Sequence, residues 1–165
     1  MILFSSKTSP FARKILLSLH SLDLVNKVEI KLTDPRDPKS ENLDFNPLAK
    51  IPTLLIDNVV IHDSNIIMDY LNENNDEKSL FPFSGIKRMK FLTSCSLINS
   101  TIEAAVLISN CNRFGHKGSS DSNLVVQQKN RIRRVLLDLE KQQIKYKNFN
   151  KPNCFDINLV CLLDY

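Results

Sequence analysis

The sequence predicts an α/β domain built on a mixed four-stranded sheet, followed by an all-helical domain. Three observations predict it. Over about the first eighty residues short apolar runs alternate with stretches of helical period. Within them, Thr53-Leu54-Leu55-Ile56, Asp57-Asn58 and Val59-Val60-Ile61 read as two strands joined by a tight turn. Beyond Phe81-Pro82-Phe83 only helical periodicity remains.

Each element has its own signal. Ile2-Leu3-Phe4 is a brief apolar strand, and after it Ile15, Leu16, Leu19 and Leu22 recur at helical spacing. Pro10 suits the first turn of that helix, which puts Ser9 at its N-cap. Lys27 to Leu32 alternates polar and apolar residues, the pattern of a half-exposed strand. Thr33 to Ser40, with Pro35 and Pro38, is a loop, and Pro52 precedes the hairpin. Asp63-Ser64 then opens a helix carrying Ile66, Ile67, Tyr70 and Leu71. That order requires a parallel pair with a crossover helix and an antiparallel hairpin in one sheet. The first domain is placed at residues 1–76 and the helical one at 84–165. Helices are expected from about Ile86 to Cys111 and from Asn123 to about Lys147, with a polar loop containing Gly115 and Gly118 between them, and another helix from Asn153.

Composition bounds the function. The 165 residues are 42% hydrophobic and 24% charged, enough for a buried core and against wholesale disorder. Twenty-two basic and 18 acidic residues are interspersed, without the basic stripe of a nucleic-acid binder. The four cysteines form no CxxC pair and have no histidine at zinc-ligand spacing, so no metal is expected. No secretory leader is expected from Met1-Ile2-Leu3-Phe4, which is too short for an apolar leader core, and no run of about 18 apolar residues is expected to span a membrane. The expectation is a cytoplasmic protein with no membrane partner.

Three positions carry possible chemistry. The hydroxyl of Ser9, at the start of the first helix, lies near free N–H groups and the positive end of the helix dipole, where an anion such as a thiolate is stabilised. An ordinary N-cap uses the same residue type, and Ser5, Ser6 and Thr8 are neighbouring hydroxyls open to the same reading. The Ile51-Pro52 bond, in cis, would leave the backbone of Ile51 available to a ligand; a trans proline at a strand start is the plain alternative. At the third position the Ser64 hydroxyl and nearby N–H groups suit a carboxylate and Asp63 an ammonium, together the α-amino-acid end of a ligand; a helix cap is again the alternative.

In combination these segments resemble the glutathione transferase family. The resemblance is carried by Ser9-Pro10-Phe11-Ala12-Arg13-Lys14, by Asn46-Pro47-Leu48-Ala49-Lys50-Ile51-Pro52-Thr53-Leu54, and by Asp63-Ser64-Asn65-Ile66-Ile67-Met68-Asp69-Tyr70-Leu71. A weaker echo is Asn153-Cys154-Phe155-Asp156-Ile157, similar to the capping box that opens a core helix of the family's helical domain. It is nearest to bacterial members with an S-P-F-x-R-K start and similar to the tau and omega classes. The resemblance implies a thioredoxin-like N-terminal domain that binds glutathione, a helical domain that receives a small electrophile, a homodimer, and no cofactor beyond glutathione as co-substrate. It implies Ser9 as the donor to the glutathione sulfur, with Phe11 in the same binding set. Ile51 would pair its backbone with the cysteinyl part across a cis Pro52, Asp63 and Ser64 would hold the γ-glutamyl end, and Lys50 the glycine carboxylate.

The chain also departs from the family. Ser9 stands where related reductases carry cysteine, so dithiol chemistry is not expected there. Ala49 replaces a usual glycine and Asp63 a commoner glutamate. The sequence ends at Tyr165, inside what should be a buried core helix, so the family's last helices are expected to be missing and Ile157 to Leu163 to expose an apolar patch. That favours an alternative, a non-catalytic glutathione- or protein-binding module of the same fold.

Overall fold

The computed structural model describes residues 1–75, 79–115, 121–142 and 152–165. Gly118, residues 143–151 and the end of the expected first domain at residue 76 lie outside these. In chain order the elements are β1 (Ile2–Ser5), α1 (Pro10–Ser21), β2 (Glu29–Leu32), β3 (Thr53–Ile56), β4 (Val59–Ile61), α2 (Ser64–Glu73), α3 (Gly85–Phe114), α4 (Asn123–Gln142) and α5 (Cys154–Leu163). Short 3-10 turns, Val25–Lys27 and Glu41–Asp44, precede β2 and follow it.

The four strands form one sheet in the order β2-β1-β3-β4, with β1 parallel to β2 and antiparallel to β3. This is the mixed sheet of the thioredoxin-like fold, and among the described residues helices alone follow it. Phe4 faces Thr53, and across the hairpin Leu54 faces Ile61. Asp57, in the hairpin turn, has φ of 50°, a conformation that Asp tolerates better than most residues. The core is built from Leu3 and Phe4 of β1, Ile15 and Leu19 of α1, Leu54 of β3 and Ile67 and Met68 of α2, all fully buried or nearly so.

The described chain divides into two units, one of Met1–Pro82 with Lys151–Ile157 and one of Phe83–Asn150 with Asn158–Tyr165. The opening of α5 therefore belongs with the sheet. There Cys154 N donates to the Leu80 carbonyl at 2.9 Å, and Ser21 Oγ donates to the Pro152 carbonyl at 3.0 Å. The expected capping box forms: Asn153 Oδ1 accepts from Phe155 N at 2.9 Å, and Asp156 Oδ2 accepts from Asn153 N at 3.1 Å.

In the second unit α3 and α4 pack together, α3 burying Phe91, Cys95, Ile98 and Ile102 along one stripe. An 18-residue window of α3 has mean hydropathy 1.5, so by length and composition this helix is apolar enough to cross a membrane. The sequence reading, which found no such run, is corrected on that point. Thirty-nine per cent of the window is buried within the fold.

Two further expectations change. In β2 the apolar positions are the open ones, Ile30 at 39% and Leu32 at 59% exposure, while Lys31 lies 5.8 Å from the centre of the Phe4 ring and donates to Glu41 at 2.8 Å. β2 is an edge strand, so alternation alone did not decide which side would be covered. In α5 the expected bare apolar patch is smaller, because Ile157, Cys161 and Leu162 are buried and only Val160 and Leu163 among its apolar residues are well exposed.

Candidate functional site

Strand pairing brings the three candidate segments to one end of the sheet. Ser9 follows the carboxyl end of β1; Pro52 precedes β3, whose first residue faces Phe4 of β1. Asp63 follows β4, whose last residue faces Leu54 of β3. In open α/β sheets the carboxyl ends of parallel strands are where ligands collect.

Ser9 is the N-cap of α1, with extended φ of −82° and ψ of 122°, and its Oγ accepts from Ala12 N at 3.2 Å. Pro10 occupies the first helical position, where its missing N–H costs no hydrogen bond. Ser9 is half-buried, as is Phe11 two residues on, and the Phe11 ring lies 5.9 Å from Lys14 Nζ.

The second segment is held by its main chain. The Ile51-Pro52 bond is cis, and both residues are buried. One residue earlier, the Lys50 carbonyl accepts three hydrogen bonds, from Asn42 Nδ2, Asn46 Nδ2 and Thr53 Oγ1, each at 3.0 Å. Asn46 also donates to Thr53 Oγ1 at 3.0 Å and accepts from Leu48 N at 3.1 Å. The Lys50 side chain is exposed. Ala49 has φ of 54°, so the residue replacing the usual glycine does occupy the left-handed region.

At the third segment Asp63 caps α2, its Oδ1 accepting from Asn65 N at 2.7 Å, and the His62-Asp63 bond is cis. Asp63 is exposed, whereas Ser64, the first helical residue, is buried. A carboxylate with one oxygen engaged in a cap keeps the other for a cation, and the free N–H groups of the first turn suit an anion.

Sequence reasoning gave no role to Lys14, Asn42 or Thr53. Lys14 is fully buried in α1, and its Nζ donates to Asn65 Oδ1 at 2.8 Å, joining α1 to the first turn of α2. The signal was present: Lys14 and Ser18 fall on the apolar stripe of α1 with Phe11, Ile15 and Leu22. Among the described residues no three His, Cys, Asp or Glu side chains converge as metal ligands. All four cysteines are thiols, three of them buried.

Known proteins give the same picture. Residues 3–79 match the family described as "Glutathione S-transferase, N-terminal domain". A crystal structure of a glutathione transferase family member from Pseudomonas fluorescens, with bound glutathione, superposes with a TM-score of 0.89 at 30% identity, covering 98% of this chain and 80% of that one. A "probable maleylacetoacetate isomerase" of Caenorhabditis elegans is 33% identical over 90 residues, 54% of this chain and 41% of that protein. A "stringent starvation protein A homolog" of Pasteurella multocida is 30% identical over 90 residues, 54% of this chain and 42% of that protein. The chain thus spans less than half of these two curated relatives. With the sequence match centred on the sheet and its surrounding turns, and the fold match running almost end to end, the chain belongs to the glutathione S-transferase family.

Proposed function

We propose that this protein is a cytoplasmic glutathione transferase that joins the glutathione thiolate to a small electrophile, without a metal or further cofactor. The observation that carries the reading is the convergence of the Ser9 cap, the cis Ile51-Pro52 bond and the Asp63-Ser64 helix opening at one end of the sheet. Glutathione bound in the Pseudomonas fluorescens family member supports the same ligand here.

The chemistry follows from the residues. Asp63 takes the ammonium of the γ-glutamyl end and Ser64 its carboxylate, while the Ile51 backbone pairs with the cysteinyl unit. Phe11 borders the thiol, Lys50 reaches the glycine carboxylate, and Ser9 donates its O–H to the sulfur. A free thiol of pKa about 8.5 is only a few per cent thiolate at neutral pH; lowering it by ~2 units, about 2.7 kcal/mol, makes thiolate the major form. A charge-assisted hydrogen bond and a helix N-terminus supply energies of that order. The thiol proton passes to solvent, the sulfur lone pair forms the C–S bond, and the displaced electron pair stays on the electrophile or leaves with its leaving group. The helical unit would receive the electrophile, and the working form would be a homodimer.

A second reading, a non-catalytic glutathione- or protein-binding module, draws support from relatives whose names share no single activity, an isomerase and a starvation protein. Calorimetric titration with glutathione at pH 7, beside an Asp63→Ala, Ser64→Ala variant, tests the common part. Saturable heat that the variant lacks is expected, and a folded sample that gives no heat would end the proposal. A panel of electrophiles then separates the enzyme from the module.

A further inference from the structure

β2 is an outer strand of the sheet, and β1 is its sole neighbour there among the described residues. Glu29 N donates to the Met1 carbonyl and Thr33 N to the Ser5 carbonyl, each at 2.9 Å. In a parallel ladder the residues that bond one neighbour alternate with those that face away from it, so the main-chain groups of Ile30 and Leu32 point off the edge of the sheet. The extended backbone already begins at Val28, with φ of −127° and ψ of 122°. Its carbonyl lies across a trans peptide from the inward Glu29 N–H and therefore also points outward. An open strand edge invites another chain, and proteins guard such edges with short strands and with lysines. β2 is short, but its lysine does not stand over the edge: Lys31 lies 5.8 Å from the centre of the Phe4 ring and donates to Glu41 at 2.8 Å. At the outward positions the side chains are Ile30 and Leu32, both apolar and both exposed.

We propose that β2 is a self-pairing edge whose partner is the β2 strand of a second copy of this chain, set antiparallel about a two-fold axis at Ile30. In that register the two Ile30 residues exchange N–H···O=C bonds, and each Leu32 N–H donates to the Val28 carbonyl of the second copy. Between these pairs Glu29 faces Lys31 of the second copy, at the non-hydrogen-bonded position where side chains stand closest. Charge selects this register over its neighbours. Sliding the axis to Glu29 opposes two carboxylates, and sliding it to Lys31 opposes two ammonium groups, both unfavourable. The apolar side chains agree with the same choice, because Ile30 meets Ile30 and Leu32 meets Val28 on one face of the joined sheet. A contact between four-residue strands covers less than the roughly 1,200 Å² of a stable interface, so the association is weak, with a Kd on the order of 0.1 mM.

The experiment is sedimentation equilibrium of the full chain from about 10 µM to about 1 mM, a range that brackets that affinity. The variants are Glu29→Lys, Lys31→Glu and Ile30→Pro, each checked for folding by circular dichroism. The wild type should gain mass with concentration; a homodimer formed by the helical unit would set a constant base, and the edge contact is the further step above it. Glu29→Lys and Lys31→Glu should each weaken that step about 10-fold, because both cross-strand attractions become repulsions. An equimolar mixture of the two variants should recover the wild-type association, since each substituted strand then faces the opposite charge. Ile30→Pro should abolish the step, and the N–H it deletes bonds nothing in β1, so the existing ladder is kept. If Ile30→Pro does not fold, the charge variants decide the matter, because the Glu29 side chain is exposed. A folded wild type whose mass is independent of concentration, a step unaltered in the charge variants or in a folded Ile30→Pro, or a mixture that associates no better than its components would overturn the proposal.

Discussion

The two helix openings at the candidate site are capped by different chemistry. At α1 a neutral hydroxyl accepts from Ala12 N at 3.2 Å; at α2 a carboxylate accepts from Asn65 N at 2.7 Å. The first is a loose bond and the second a short, charge-assisted one. A serine hydroxyl has two lone pairs and one hydrogen, so Ser9 can accept from the helix and still donate its proton to a bound sulfur. Asp63 has no hydrogen to give, and its second oxygen serves a cation only. The two caps are thus suited to opposite charges on one ligand, a thiolate at α1 and an ammonium at α2.

The sharpest way to break that contrast is Ser9→Ala. Under the proposed mechanism, turnover at pH 7 falls about 25-fold, the loss of thiolate that follows from returning the thiol pKa upward by ~2 units to about 8.5, while glutathione affinity stays nearly constant. The sign with pH is fixed: the bound thiol now ionises at higher pH, so the deficit is greatest at the acid end of the range and shrinks as pH rises toward and past about 8.5. A rate profile from pH 6 to pH 9 checks it, and an equal deficit at every pH would remove the hydroxyl's role. Next comes Asp63→Asn, which keeps a good cap but deletes the charge. Calorimetry should show glutathione about 10-fold weaker with an unaltered melting temperature. Smaller still, Asp63→Ala should lower stability by about 1 kcal/mol in urea unfolding, and by more than Ser9→Ala does, because it removes the tighter cap. If the order is reversed, the difference in bond length does not reflect strength. The smallest effect is set at the neighbouring turn. Ala49→Gly relieves a left-handed alanine worth about 1–2 kcal/mol but gains chain entropy in the unfolded state, for a net stabilisation of about 0.5 kcal/mol.

Much of this site was legible because local chemistry specifies it. Pro10 after Ser9, Asp63 before a helical apolar pattern, and Asp57-Asn58 between two apolar runs each act over a few residues, and all three form where expected. The parallel β1–β2 pair followed from handedness and connection length. Lys14 was harder to read, since its partner is Asn65, fifty-one positions away. Asn42 and Thr53 were missed for a related reason. Their shared acceptor is a main-chain carbonyl, and a sequence does not show which carbonyl a loop will turn inward. β2 shows the opposite failure, in which the alternation was real but the side it buries depends on neighbours that the strand itself does not encode.

The Lys50 carbonyl has a consequence for the energetics of association. The Lys50-Ile51 peptide is planar and trans, so the Ile51 N–H points opposite to the carbonyl that three donors hold. Freezing one residue's backbone costs about 1–2 kcal/mol, and here that entropy is lost during folding. A ligand that pairs with Ile51 meets a donor already aimed, and its affinity is not diminished by ordering the loop. Binding at this segment should therefore carry a small entropic penalty, and loosening Asn46 would make the ligand bear that ordering itself.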